Sequence, residues 1–133
     1  MHMTTMDAVK NDILVAAWNT SDSRKVRNLI RQSLGSCEVG FRGCKIKIFP
    51  RNNNTEFQIW RRGRAFEEPS LRYIYNLFTG KKITAFDVGA NAGIFSLRLA
   101  LAAGKSSKII AIEPNPIMRE RLEYNIAARM FYK

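Results

Sequence analysis

The sequence predicts an α/β fold that contains only the first β-α-β-α of a mostly parallel sheet. Residues 83–88 and 108–112 are short apolar runs of strand length, and residues 94–103 between them carry apolar side chains at helical spacing. The second run is almost continuously apolar, which is typical of a parallel strand buried on both faces. Helices and a small antiparallel β unit are predicted to precede this sheet.

Two helices are predicted in residues 1–36. Val9 and Ile13 lie four positions apart and predict an inner face for the first helix. The second helix is predicted over residues 23–34, with Val26, Leu29, Ile30 and Leu34 facing inward.

In residues 37–82 the spacing of apolar residues changes from helical to alternating. Alternation of polar and apolar residues at 45–49 and again at 57–60 predicts two strands of the antiparallel unit. A further helix is predicted over residues 69–78. Glu67 and Glu68 precede its first turn, where the positive end of the helix dipole favours acidic side chains. The chain is therefore expected to have three segments: helical residues 1–36, a basic hairpin plus helix at 37–82, and the start of a cofactor-binding domain at 83–133.

The net charge is +11, from 22 basic and 11 acidic residues. The excess is concentrated in the middle segment, at Arg42, Lys45, Lys47, Arg51, Arg61, Arg62 and Arg64. Such a patch can attract an anionic partner, nucleic acid included. Two other interpretations are a solvated basic face on the hairpin and a missing C-terminal part that carries balancing acids.

Several classes are excluded on composition. The apolar run at 13–18 is much shorter than the roughly 18 residues that a membrane span needs. It also follows Asp7 and Asp12, whereas a signal peptide begins with a basic region. Without a predicted membrane span or signal peptide, we expect a cytoplasmic protein. Cys37 and Cys44 lack zinc-site spacing and His2 is the single histidine, so we expect reduced thiols in or beside strands and no metal site.

The segment from Asp87 to Gly93 is the most informative part of the sequence. It lies between a predicted strand and a predicted helix, which is the context that a glycine-rich cofactor loop requires. Gly89 and Gly93 allow a sharp turn and a close approach by a ligand. Asp87 ends the strand, at the carboxyl edge where open α/β sheets bind ligands.

An acidic residue ends the second strand as well. Glu113 follows Gly93 by 20 residues, the spacing at which an acid after the second strand reaches ribose hydroxyls. A dinucleotide would need a GxGxxG loop and room for a pyrophosphate, which the adjacent Asp87 carboxylate disfavours. S-adenosylmethionine has an ammonium group and no phosphate, so it is the preferred cofactor. The remaining interpretation is a glycine turn in an α/β protein that binds no ligand.

Residues 86–93, then Ser96, then residues 111–116 resemble the FkbM family of S-adenosylmethionine-dependent methyltransferases. Residues 63–67 are similar to a stretch that this family often shows before its cofactor domain. The resemblance covers roughly residues 45–130. It implies a Rossmann-like methyltransferase fold, of which this chain has the beginning.

The resemblance also implies a role for each matching residue. Glu67 would close over the amino-acid end of the cofactor, although it can equally be a helix-start acid. Asp87, Gly89, Asn91 and Gly93 would surround the methionine portion, Glu113 would hold the ribose, and Pro114 and Asn115 would lie near the adenosine.

The expected function is O-methylation of a small molecule or glycan, with the chain as an N-terminal fragment. No catalytic residue can be assigned, because the parts that meet the acceptor follow the second strand in such enzymes. Self-association that covers the open sheet edge would be another way to complete the fold. The alternatives are a non-catalytic truncated remnant and a basic nucleic-acid-binding protein.

Overall fold

A computed structural model describes residues 5–129 of the chain, and the side chains of residues 9–128. Within that range the chain forms six helices and two two-stranded sheets, so the mixed α/β class is confirmed. In chain order the elements are α1 (Thr5–Thr20), α2 (Arg24–Ser33), β1 (Cys37–Phe41), β2 (Cys44–Ile48), α3 (Asn54–Arg62), α4 (Glu68–Phe78), β3 (Thr84–Val88), α5 (Ile94–Ala102), β4 (Lys108–Ile112) and α6 (Pro116–Arg129). None of the helices described combines the length and apolar character needed to cross a bilayer.

The chain divides into two compact units. The first comprises the residues up to Val39 together with Ile48–Ala65, and the second comprises Gly40–Lys47 together with the residues from Phe66 onward. The division into residues 1–36, 37–82 and 83–133 stays a prediction. It is based on composition and periodicity, whereas the two units are defined by contacts between residues.

The small β unit is a hairpin of β1 and β2. Its connection is Arg42-Gly43, and both residues have positive φ angles, 49° and 85°. Positive φ at both central residues is the geometry of the two-residue turn whose twist matches that of the flanking strands. The strand predicted at 45–49 is confirmed, but its partner is β1.

The prediction of a strand at residues 57–60 is wrong, because these residues lie in helix α3. Asn53 caps the helix: its side chain accepts a hydrogen bond from the Glu56 backbone N–H at 3.0 Å. Phe57 and Trp60 are both buried, three positions apart on one helical face, and their rings stack with centroids 5.5 Å apart. An alternating pattern over four residues is compatible with a strand and with one turn of a helix. The capping hydrogen bond of Asn53 stabilises the helix.

The inner face predicted for α2 is confirmed at Ile30 and Leu34, which are buried, but other predicted inner residues of α1 and α2 are not. Four apolar residues expected to face inward are exposed: Val9, Ile13, Val26 and Leu29. In α1 the packing residue is instead Trp18, whose ring contacts Phe57 edge-on at 4.7 Å between centroids. Apolar residues lie on more than one side of α1, so the tertiary contact with α3 selects the face that packs.

Strands β3 and β4 pair in parallel, with Phe86 opposite Ile110 and Val88 opposite Ile112. Within the same unit α5 contacts β4, and α4 packs on α5. Phe86 and Val88 project from the other face of the sheet and are 65% and 75% exposed. The parallel pair thus leaves apolar surface uncovered, as two strands by themselves must.

Each unit has a group of buried apolar side chains. In the first unit these include Ile30, Leu34, Ile48, Phe57, Ile59 and Trp60, and in the second Ile46, Leu71, Leu97, Leu99, Ala102 and Leu122. Glu56 lies among the apolar residues of the first unit and is only 1% exposed. Its carboxylate accepts a hydrogen bond from the backbone N–H of Phe49, immediately after β2.

We expect Glu56→Ala to lower the free energy of unfolding by about 1–3 kcal/mol, because it leaves the Phe49 N–H without its acceptor. Urea denaturation followed by tryptophan fluorescence measures this change, since Trp18 and Trp60 both contact Phe57 in the same unit. The control is Gln32→Ala, an exposed site on α2, where the change should stay within about 0.5 kcal/mol. Equal effects of the two substitutions would contradict the role given to the Glu56 carboxylate.

Candidate cofactor site

The loop between β3 and α5 is a tight turn in the left-handed region of backbone space. Gly89, Asn91 and Gly93 have φ angles of 78°, 51° and 92°. Asparagine is among the few residues with a side chain that tolerate such an angle, and glycine adopts it without steric cost. Glycine or asparagine therefore stands at each position of the turn where the backbone has a positive φ angle.

Every backbone N–H from Gly89 to Gly93 already has an acceptor within the protein. In chain order, Gly89 and Ala90 donate to the Ile112 carbonyl (2.8 and 3.1 Å), Asn91 to the Glu113 carboxylate (2.8 Å), Ala92 to the Asn91 side chain (2.8 Å), and Gly93 to the Ala90 carbonyl (2.8 Å). The loop is thereby held to the end of β4 and has a preformed shape.

The Glu113 carboxylate connects the two loops that follow β3 and β4. One oxygen, Oε2, accepts from Asn91 N–H, and the other, Oε1, accepts from Asn115 N–H, each at 2.8 Å. Both bonds fix the orientation of the carboxylate at the carboxyl edge of the parallel pair. Each carboxylate oxygen can accept a second hydrogen bond, so the group can still bind a pair of hydroxyls.

Asp87 is partly buried near the end of β3 and is bonded to a residue that the sequence did not place in the site. The Ser96 hydroxyl, in the first turn of α5, donates to Asp87 Oδ2 at 2.6 Å, and Ser96 is 4% exposed. The other carboxylate oxygen, Oδ1, accepts no hydrogen bond from the described residues. The signal that pointed to Ser96 was its place three residues after Gly93 in the motif.

The remaining predicted residues take different positions. Asn115 caps α6, because its side-chain oxygen accepts from the backbone N–H of Ile117 and Met118 at 3.0 and 3.2 Å. Pro114 is exposed between Glu113 and Asn115. Glu67 is exposed at the N-terminus of α4, and its side chain makes no capping hydrogen bond. The structure thus joins the loop residues with Glu113 and Asn115 through hydrogen bonds, and it does not join Glu67 to them.

Asn125 of α6 supports the loop from behind and was not predicted. It is 0% exposed, and its amide donates to the Ala92 carbonyl at 2.9 Å. It also accepts from Lys47 N–H of β2 at 2.8 Å and donates to the Lys47 carbonyl at 3.4 Å. A sequence signal did exist, because Asn125 follows Leu122 by three residues and so puts an amide on the apolar face of α6.

A pocket of about 350 Å³ lies among α5, β4 and α6. Its lining is mainly apolar, and its polar side chains are Ser96, Glu113, Arg119 and Glu123. The pocket therefore adjoins both the residue bonded to Asp87 and the carboxylate that connects the loops.

The two cysteines lie outside this site. Cys37 is in β1 and Cys44 in β2, as the sequence predicted, and neither forms a disulfide. Burial raises the pKa of the Cys37 thiol, and the nearby Glu56 carboxylate raises it further. Among the described residues no group of three histidine, cysteine or acidic side chains is placed to hold a metal ion.

Comparison with protein-family models, with curated proteins and with solved structures gives no match to this chain. The resemblance described above therefore rests on the residues of the loop and of the Glu113–Asn115 segment.

The two glycines of the loop should respond differently to alanine. A Cβ at Gly93 would lie 2.7 Å from Leu122 Cδ1, and Leu122 is itself buried, whereas a Cβ at Gly89 meets nothing within 4 Å. Both substitutions carry the left-handed backbone penalty of about 1–2 kcal/mol, so the excess loss in Gly93→Ala reports the packing clash. We expect urea denaturation to show the larger loss of stability for Gly93→Ala. Equal losses would mean that backbone strain alone explains the glycines.

The buried Asn125 amide offers a second test. In Asn125→Asp an oxygen replaces the donor that faces two carbonyl groups, so we expect a loss of about 1–3 kcal/mol in unfolding free energy. Amide hydrogen exchange should also become faster at residues 89–93, because the Ala92 carbonyl loses its partner. Glu120→Gln, at an exposed site of the same helix, serves as the control. Unchanged exchange in the loop of Asn125→Asp would contradict the supporting role.

Proposed function

We propose that the chain is part of an S-adenosylmethionine-dependent methyltransferase of the FkbM type, and that residues 84–129 begin its Rossmann-like cofactor domain. The observation that carries the proposal is the Glu113 carboxylate, which directly follows β4 and accepts a hydrogen bond from Asn91 in the loop that follows β3. A fixed carboxylate beside a glycine turn at the carboxyl edge of a parallel pair is suited to a nucleoside ligand.

The donor set fits the parts of this cofactor. Glu113 is oriented by two backbone N–H groups and keeps acceptor capacity for the two ribose hydroxyls. Asp87 keeps Oδ1 for an ammonium group while Ser96 holds Oδ2. A Cβ placed on Gly89 would meet no atom of non-adjacent residues within 4 Å, so a ligand can approach the turn there.

The backbone N–H groups of the loop are all hydrogen-bonded within the protein, which argues against binding of a dinucleotide. A pyrophosphate is normally held by free backbone N–H groups of the glycine loop and of the following helix. In this chain the five N–H groups from Gly89 to Gly93 are all used internally. The Asp87 carboxylate would add charge repulsion, so a cofactor without phosphate is the better fit.

The proposed reaction is O-methylation of a small molecule or glycan. When bound, the cofactor would supply an electrophilic methyl group on its sulfonium for transfer to an acceptor oxygen. The residues of this chain would hold and orient the cofactor: Glu113 through the ribose, and Asp87 through the ammonium group. Catalysis of such a displacement depends strongly on positioning.

The test is calorimetric titration of the full chain with S-adenosylhomocysteine. We expect the wild type to bind and Glu113→Ala to bind about a hundredfold more weakly, because hydrogen bonds to a charged group contribute roughly 1.5–3 kcal/mol each. Asp87→Ala should weaken binding as well. The matched control is Glu120→Ala, which removes an exposed carboxylate of α6 and should bind like the wild type.

Circular dichroism of each variant separates loss of binding from loss of folding. A folded wild-type chain that binds no S-adenosylhomocysteine would contradict a working cofactor site and is the result expected of a non-catalytic remnant. Binding of NAD in its place would overturn the choice of cofactor.

A further inference from the structure

Two arginines of the first unit converge on the end of helix α1. Arg27 of α2 donates its Nε–H to the Trp18 carbonyl at 3.3 Å, and Arg61 of α3 donates its Nε–H to the Asn19 side-chain oxygen at 3.1 Å. Because Trp18 and Asn19 are consecutive, these bonds bring two guanidinium groups from different helices to the same place.

The anchoring bonds leave most of each guanidinium available. Each arginine donates only its Nε–H, and neither forms an ion pair or another hydrogen bond within the described residues. The Arg27 guanidinium also lies over the Trp18 ring, 5.9 Å from its centroid, and this contact uses none of its terminal N–H donors. The two terminal amino groups of each side chain therefore keep their donors. An acceptor at the end of a helix explains why the Nε–H groups bind there, but it does not neutralise the two charges.

The surroundings of the pair are also positive. Burial lowers the pKa of the Arg61 guanidinium, and the charges of Arg62 and Arg27 lower it further. Arg31 lies one turn after Arg27, with its guanidinium 4.6 Å from the centre of the Phe57 ring.

No acidic side chain within the described residues forms an ion pair with Arg27 or Arg61. Asp22, which precedes α2, is exposed and forms no ion pair within the described residues. Glu56 is buried and binds the Phe49 N–H. The pair thus has unused terminal donors and no ion-paired acid, on side chains that are partly exposed.

Planar guanidinium groups with free terminal donors are suited to the oxygens of a phosphate group. We propose that Arg27 and Arg61 bind the phosphodiester backbone of a nucleic acid, without reading its base sequence. A polymer is favoured over a small ligand because further exposed basic residues continue along the same two helices, at Arg24, Lys25 and Arg62. This inference is independent of the cofactor site.

The experiment measures fluorescence anisotropy of a labelled single-stranded RNA of mixed sequence with the full chain, at several salt concentrations. We expect salt-dependent binding by the wild type. Replacing both arginines, R27Q with R61Q, should weaken binding at least about tenfold and reduce the slope of log affinity against log salt by about 0.7 for each lost phosphate contact with a single strand.

The matched control is K105Q with K108Q, which removes the same charge from two exposed lysines elsewhere in the chain. It should bind within about threefold of the wild type, as expected for charges that contact no phosphate. A loss equal to that of the arginine variant would overturn the proposal, because it would show a diffuse effect of net charge.

A charge-preserving variant keeps the test decisive if the glutamine variant does not fold. In R27K with R61K the charge remains but the planar fork and the Nε–H anchors are lost, so affinity should fall while the salt slope stays near that of the wild type. Unchanged affinity would overturn the proposal. Binding of inorganic pyrophosphate but not RNA, lost in the same variants, would overturn the assignment to nucleic acid.

Discussion

The buried amide of Asn125 joins three parts of the second unit that are far apart in sequence. It binds both backbone groups of Lys47 in β2 and the carbonyl of Ala92 in the glycine turn. A fully buried amide is costly unless its donors and acceptor are satisfied, so it favours one arrangement of α6, β2 and the loop over others. Leu122, one turn earlier in α6, fills the space that the missing side chain of Gly93 leaves. The shape of the loop thus depends on a helix that follows it.

The same hydrogen bonds that hold the loop restrict what it can bind. Its backbone N–H groups are engaged with Ile112, Glu113 and the loop itself, and they are not available to a phosphate. Chemistry at this site therefore comes from the two carboxylates, Asp87 and Glu113. Carboxylates favour hydroxyl and ammonium groups, and this preference is the physical basis for choosing a phosphate-free nucleoside cofactor.

The two arginines of the further inference favour anions, whereas the carboxylates of the cofactor site favour cations and hydroxyls. The arginines also lie on other helices. Arg27 and Arg61 belong to helices of the first unit, and their guanidinium groups favour anions. The basic segment recognised in the sequence was expected to be the open face of a hairpin. Because residues 54–62 form a helix, Arg61 is displayed on α3 instead, and the set of basic residues beside it changes accordingly.

The sequence by itself determined the elements whose signals are local. The strand, loop and helix around residues 87–93, the strand just before Glu113 and the cap at Asn115 follow from glycine positions, strand length and capping chemistry, and the structure has them. Only the tertiary structure decided the interactions between distant residues. It selected Trp18 rather than Ile13 as the packing side of α1, and it placed Asn125 behind the loop and Ser96 against Asp87. Periodicity shows which side chains share a face, but the partner that covers the face is set by packing between elements far apart in the chain.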